Sequence, residues 1–166
     1  MRGIPCRYWL YSISGVEKQK KIAKKLSEKL KCDMEEIFDI KNRNGITGFL
    51  SAGTDANLKR LTVLKEVKKN PSLYDLIIIG SPVWSSNIST PIRTYIYLYK
   101  KEFKNVAFFC NRLGSDVLKI FSDMENICQK KPVALLELTS REIARDLYTA
   151  KLKEFIEKIK TRGQFE

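Results

Sequence analysis

An uninterrupted apolar run, mostly β-branched, occupies residues 76–79 and ends at Gly80. Such a run is typical of a central parallel strand covered on both faces, because a strand with one solvated face alternates polar and apolar residues. The residues that follow are mostly small, polar or proline, with one large aromatic residue, Trp84, before Pro91 opens a helical pattern. Residues 81–90 are therefore predicted to form a loop at the carboxyl end of a middle strand.

Strand and helix patterns alternate along the rest of the chain. Strand patterns lie at residues 7–12, 35–40, 76–79, 106–110 and 132–138. Helical patterns lie at residues 17–31, 58–69, 91–101, 116–128 and 141–160, and the glycine-containing residues 41–57 are predicted to form a long loop. We predict a single α/β domain over residues 1–166. Its architecture is a three-layer sandwich around a five-stranded parallel sheet of order 2-1-3-4-5.

The loops after the first, third and fourth predicted strands meet at the edge where open α/β sheets bind ligands. Trp84 could cover a planar ligand there, with Ser85, Ser86 and Asn87 at the polar edge of that ligand. The alternative is a Trp84 that packs within the core of its own loop, and residue context alone favours this alternative.

A generic anion site is predicted where the first strand leads into the first helix. Ser12, Ser14 and Gly15 form a turn between them. Backbone N–H groups at the helix start, together with the two serine hydroxyls, could hold a phosphate.

The absence of histidine and the spacing of the cysteines exclude several kinds of site. Without histidine, Ser-His and Cys-His nucleophile pairs and imidazole metal sites cannot form. The cysteines are far apart with no Cys-x-x-Cys pair, which argues against a zinc site or a cysteine-held iron–sulfur cluster. We expect buried or incidental thiols at Cys6, Cys32, Cys110 and Cys128.

The net charge is +12, from 31 lysines and arginines against 19 acidic residues. A surface of this sign attracts nucleic acids, anionic membranes and acidic proteins. No apolar run approaches the ~20 residues that span a bilayer, and the first twelve residues lack the apolar core of a signal peptide. We therefore expect a cytoplasmic protein that binds no membrane.

Residues 74–93 resemble the flavodoxin family of FMN-binding electron carriers and reductases. They are similar to the family's strand, its aromatic loop and the Pro-Ile/Val-Arg start of its next helix. Residues 48–56 resemble the glycine-rich segment of one flavodoxin-like branch, and the likeness covers nearly the whole chain. It implies an FMN-binding redox protein, either an electron carrier or a small flavin reductase.

The resemblance also implies which residues hold the FMN. For the phosphate loop it implies Ser12, Ser14, Gly15, Val16 and Lys18. Against the flavin ring it implies Pro82, Val83, Trp84, Ser85, Ser86 and Asn87, and along the other edge of the ring Cys110, Asn111, Arg112 and Gly114.

Two alternatives stay open because the phosphate loop departs from the family pattern. Where the family usually reads Ser/Thr-x-Thr/Ser-Gly-Asn-Thr, this chain has Val16 and Glu17 after Gly15, and the Glu17 carboxylate would repel a phosphate unless lysines offset it. The first alternative is a flavodoxin-fold binding or interaction module that has lost FMN. The second is a nucleic-acid binder, which the charge alone supports and for which the sequence has no recognition motif.

The basic composition predicts a property of the flavin and a class of partner. Fully reduced FMN is anionic at the ring, so a basic surrounding should make its second reduction potential less negative than in acidic flavodoxins. The expected electron partner is an acidic redox protein or a nicotinamide donor, and a homodimer is also compatible with the sequence. A potentiometric titration checks the potential, and a value as low as that of acidic flavodoxins would contradict the prediction.

Overall fold

The computed structural model describes residues 6–10, 17–41, 45–112 and 117–162. The strands are Cys6–Leu10 (β1), Leu76–Trp84 (β2), Asn87–Ile88 (β3), Val106–Arg112 (β4) and Leu135–Thr139 (β5). The helices are Glu17–Leu30 (α1), Gly45–Asn57 (α2), Thr90–Tyr99 (α3), Val117–Cys128 (α4), Ser140–Ala144 (α5) and Thr149–Arg162 (α6).

The sheet has the order β1-β2-β4-β5, and all three pairings between these strands are parallel. The short β3 folds back on the end of β2 in an antiparallel hairpin. The α/β class is confirmed, with helices on both faces of the sheet. The predicted order is confirmed for four strands, but the prediction of a fifth parallel strand at residues 35–40 is wrong.

Residues 35–40 pair with another segment instead of joining the sheet. Asp39 forms an isolated antiparallel bridge with Leu64. The Lys65 N–H donates to the Phe38 carbonyl at 2.8 Å, and the Ile40 N–H donates to the Val63 carbonyl at 3.0 Å. Residues 63–65 supply these backbone partners, residues 58 and 59 form a turn, and residues 60–69 contain no helix, so the helix predicted at residues 58–69 is also wrong.

A helix, α2, occupies most of the segment that we predicted to be a long loop. Gly48, Ala52 and Ala56 recur every four residues along it and are buried. Ala52 and Ala56 pack against Trp84 in a small cluster of their own. Small side chains allow this close approach, so packing compensates for the low helix propensity of three glycines.

The last predicted helix divides into α5 and α6. Arg145 caps the end of α5 with non-helical dihedral angles, and Asp146 adopts a left-handed φ of 56°. A left-handed residue cannot continue a right-handed helix, so the chain turns here before α6 begins.

Strand β2 is buried on both faces and separates two cores. Ile77 and Ile79 point into the core formed with α3 and α4. Leu76 and Ile78 point into the core formed with α1, α5 and α6. This alternation follows from the pleat of the strand, in which successive side chains point to opposite faces.

Gly80 marks a close contact between β2 and β4, which generates a stability prediction. A Cβ added at Gly80 would lie 2.0 Å from Cζ and 2.2 Å from Cε1 of the Phe109 ring. Because the ring is buried and cannot retreat, we expect Gly80→Ala to cost about 1–3 kcal/mol of unfolding free energy. Urea unfolding measures the change.

The matched control is Gly53→Ala in α2, where the added Cβ would meet only the Ser85 Oγ, at 2.8 Å. That hydroxyl can rotate away, and alanine gains about 1 kcal/mol of helix propensity over glycine. We expect this control to be less destabilising, and Phe109→Leu to recover part of the Gly80→Ala loss. An unfolding midpoint unchanged by Gly80→Ala would contradict the proposed clash.

Candidate functional site

The parallel strands end at a common edge of the sheet. Leu10 is level with Ile79, Pro82 with Asn111, and Arg112 with Thr139. Helix α1 begins at Glu17 on one face of this edge, and the β2–β3 hairpin projects beyond it. We call this region the strand-edge site, formed by Gln19, Asn111 and the hairpin residues 84–87.

The β2–β3 hairpin corrects the loop prediction for residues 81–90. Ser81 and Pro82 continue the ladder of β2 with β4, so the strand runs on to Trp84. Ser85 and Ser86 form the turn with φ of 46° and 57°. Two successive left-handed residues suit the twist of a two-residue hairpin, but they are unusual for serine and store strain at this site.

Hydrogen bonds hold the hairpin in place on both sides. The Asn87 amide donates to the Ser85 carbonyl at 2.7 Å, and its Oδ1 accepts from Lys119 of α4 at 3.0 Å. The buried Ser81 hydroxyl accepts from the Ser89 N–H at 3.1 Å, just before α3. Asn87 therefore orders the turn, while Ser85 and Ser86 remain exposed.

Trp84 packs within the protein, as in the alternative to ligand contact that the sequence analysis considered. Its side chain is only 7% exposed and lies against Ala52 and Ala56 of α2. Pro82 is buried, and Val83 packs against the core on the α3 and α4 side. Flavin contact by these three residues stays a prediction, and it requires α2 to leave part of the indole accessible.

Gln19 is a site residue that the sequence analysis missed. It lies in the first turn of α1 with 0% exposure, and within the described residues both its amide atoms lack a hydrogen-bond partner. Its Nε2 would lie 2.7 Å from a Cβ added at Gly80, which places the amide beside the middle of β2. A signal was present, because Gln19 precedes Ile22, Ala23 and Leu26 on the buried face of α1.

Asn111 and Cys110 point to opposite faces of β4. Asn111 is 8% exposed, and its Oδ1 has no hydrogen-bond partner among the residues that the structure describes. It lies two residues after Phe109, on the face that Gln19 occupies. Cys110 points into the other core, where burial raises the pKa of its thiol to about 12. The thiol therefore stays protonated at neutral pH.

The carboxyl end of β5 holds a set of paired charges. Arg112 forms an ion pair with Glu137 on the neighbouring strand. Burial raises the pKa of Glu142, but Lys151 at 2.7 Å and the N–H and hydroxyl of Thr139 outweigh this and lower it to about 2. Because Arg112 already has a carboxylate partner, it has less free charge to offer a ligand than the sequence suggested.

Of the remaining predicted site residues, only Lys18 lies within the described residues. Lys18 lies half-buried in the first turn of α1. Ser12, Ser14, Gly15, Val16 and Gly114 lie outside the described residues. In the described ranges no group of histidine, cysteine or acidic residues could hold a metal ion. No helix in those ranges has the length and apolar character that crossing a membrane requires.

Several solved structures that match this fold are flavoproteins or flavodoxins. A flavoprotein from Lactobacillus acidophilus NCFM, crystallised in complex with FMN, matches with a TM-score of 0.69 and 22% identity over 85% of this chain and 97% of its own. The chain has the flavodoxin-like fold. No protein-family model and no curated protein sequence matches it.

Two further structures extend the likeness over more of this chain. The flavodoxin, WrbA-like protein from Agrobacterium tumefaciens has a TM-score of 0.57 and 13% identity, and the match covers 97% of this chain and 99% of that one. Oxidised flavodoxin 1 from Bacillus cereus has a TM-score of 0.50 and 12% identity, and the match covers 93% and 97%. Identities this low support a shared fold and leave the function to the site.

The packing of Trp84 generates a prediction that separates burial from flavin contact. The chain has two tryptophans, so Trp9→Phe leaves Trp84 as the single indole fluorophore. We expect blue-shifted emission from the buried ring, and strong quenching on adding FMN if the flavin contacts the indole. A fluorescence titration measures both.

The control for this titration is Trp84→Phe, which leaves Trp9 as the fluorophore and keeps an aromatic ring against α2. Trp84→Ala is less informative, since emptying this buried position costs about 3–5 kcal/mol. Unquenched Trp84 emission at saturating FMN would contradict flavin contact and leave Trp84 with a packing role.

Proposed function

We propose that this protein binds FMN and acts in redox chemistry, as an electron carrier or a small flavin reductase. The observation that carries the proposal is the pair of unsatisfied buried amides, Gln19 and Asn111, at the strand edge. Within the described part of the chain, both amide atoms of Gln19 and the Oδ1 of Asn111 have no hydrogen-bond partner. A flavoprotein crystallised in complex with FMN shares the fold over 85% of this chain, which supports FMN as the group that they hold.

The chemistry of these amides fits a polar cofactor. A buried amide without partners costs about 1–3 kcal/mol, so a fold tolerates it where a ligand supplies the missing bonds. Gln19 offers a donor and an acceptor, and Asn111 offers an acceptor. Both lie on the α1 face of the sheet, next to the positive end of the α1 helix dipole, which favours a phosphate.

Each residue of the site has a defined task in this proposal. FMN, when bound, supplies reversible electron transfer at its ring. Gln19 and Asn111 orient its polar part, and the hairpin residues 84–87 cover the ring and exclude water. Lys119 and Ser81 hold the hairpin against α4 and α3, so that it keeps one position.

We also propose an acidic redox protein or a nicotinamide donor as the electron partner, with a homodimer as a compatible assembly. The net charge of +12 supports a partner of opposite sign. A cytoplasmic address is part of the proposal, and the free thiols of Cys110 and Cys128 fit a reducing compartment.

A flavodoxin-fold module without FMN is the second candidate function. The burial of Trp84 beneath Ala52 and Ala56 favours it, because α2 covers an indole that would otherwise be free to contact a flavin ring. The altered phosphate loop, with Glu17 in the first turn of α1, favours it as well. The two candidates differ in one observable, the retention of FMN.

The deciding experiment is an absorbance spectrum of the protein after FMN addition and gel filtration, repeated with Gln19→Met. Methionine keeps the volume of Gln19 but removes the unsatisfied amide, so we expect unfolding free energy to rise by about 1 kcal/mol. FMN affinity should fall about tenfold, since a hydrogen bond to the ligand is lost. Urea unfolding and a fluorescence titration measure the two effects.

Gln129→Met is the matched control, because Gln129 is exposed at the far end of α4 and should change neither quantity. If the wild-type protein releases all added FMN, the FMN proposal fails and the module is favoured. If FMN is retained but Gln19→Met binds it equally well, Gln19 does not contact the cofactor.

A further inference from the structure

Arg93 is a buried cation, and part of its hydrogen-bonding capacity is unused within the described residues. It lies in the first turn of α3 and is 6% exposed. Within the described residues, its Nε and Nη2 and the hydroxyl of the neighbouring Thr90 have no hydrogen-bond partner. Leaving a guanidinium buried with empty donors is costly, so a partner outside the described contacts is expected.

The charges around Arg93 favour an anion. Asp123 of α4 lies 3.1 Å from the Lys119 ammonium and 4.0 Å from that of Lys59. Burial lowers the pKa of Arg93, and the nearby Asp123 charge partly restores it. Arg93, Lys119 and Lys59 carry three positive charges and Asp123 carries one negative charge, so the cluster has a net charge of +2. This charge would balance that of a phosphate dianion.

The cluster is separate from the Gln19 and Asn111 amides. Lys119 also donates to the Asn87 Oδ1 at 3.0 Å and to the Ser86 carbonyl at 3.4 Å, so the cluster adjoins the hairpin turn. Arg93 lies between α3 and α4, whereas Gln19 lies on α1, on the opposite face of the sheet. The side chain of Lys119 is 49% exposed, so a ligand can reach its ammonium from solvent.

We propose that Arg93, Lys119 and Lys59 form a binding site for a phosphate group, which adjoins the hairpin turn and is separate from the Gln19 and Asn111 amides. The planar fork of Arg93 donates two hydrogen bonds to one phosphate, and the lysines add point charges. The start of α3 adds the positive end of a helix dipole, and the Thr90 hydroxyl adds a donor. This site does not depend on flavin binding.

The test is an NMR titration of the wild-type protein with inorganic phosphate at constant ionic strength. The Nε–Hε resonance of Arg93, identified by its loss in Arg93→Lys, should shift in a saturable way. A parallel titration with adenosine monophosphate asks whether a nucleotide phosphate binds more tightly than the free ion. Absence of a saturable Arg93 shift with both probes overturns the proposal.

Two variants should change the phosphate affinity in opposite directions, which a purely structural role of these residues would not produce. Removing the competing carboxylate with Asp123→Asn should tighten phosphate binding, and Lys119→Met should weaken it, each by at least about fivefold. Lys104→Met is the matched control, because Lys104 pairs with Asp75 at 3.0 Å and is similarly exposed. Equal affinity in all three variants overturns the proposal.

Titrations with flavins test whether the phosphate site at Arg93 is separate from the proposed FMN site. Added FMN and riboflavin should both leave the phosphate-induced Arg93 shift in place. If FMN abolishes the shift and riboflavin does not, the FMN phosphate itself occupies the Arg93 cluster, and the proposal of a separate site is wrong. Because phosphate binding is measured without flavin, failure of the FMN proposal leaves this test intact.

Discussion

The burial of β2 on both faces is the constraint on which the rest of the structure depends. Its alternate side chains enter two separate cores, one shared with α3 and α4 and the other with α1, α5 and α6. A strand of this kind must have neighbours on both edges, and β1 and β4 provide them. Gly80 and Phe109 are partners at the middle of β2 and β4, and the Phe109 ring occupies the space that a side chain at position 80 would need.

That packing concentrates unsatisfied polar groups around the carboxyl edge of the sheet. Gln19 is drawn into the apolar face of α1, where the described residues offer its amide no partner. Arg93 is drawn between α3 and α4 in the same way, with Asp123 as its nearby opposite charge. The two groups lie on opposite faces of the sheet, so the hairpin between them adjoins two chemically different sites, one with neutral amides and one with net positive charge.

The sequence predicted the elements whose patterns are strong and local. The bounds of α1, α4 and β4 were predicted to within two residues, and the start of β2 was predicted correctly. The predictions failed where tertiary pairing overrode local pattern. Residues 58–69 have helical spacing, yet no helix forms there, and Val63 and Lys65 form backbone hydrogen bonds with Ile40 and Phe38 instead. Helix α2 looked like a glycine-rich loop because Trp84, the partner of its small residues, lies far along the chain.

For the candidate site, the sequence by itself determined which edge of the sheet carries polar residues, because a parallel strand order brings the strand-end loops together. It also determined the absence of histidine chemistry and the excess of positive charge. Only the tertiary structure decided that Trp84 is packed beneath α2, that Cys110 faces a core, and that Gln19 and Arg93 are buried with unused donors. A local pattern can favour burial, as the spacing of Gln19 with Ile22 and Leu26 does. Hydrogen-bond satisfaction depends on neighbours distant in sequence, so only the fold shows which buried groups lack a partner.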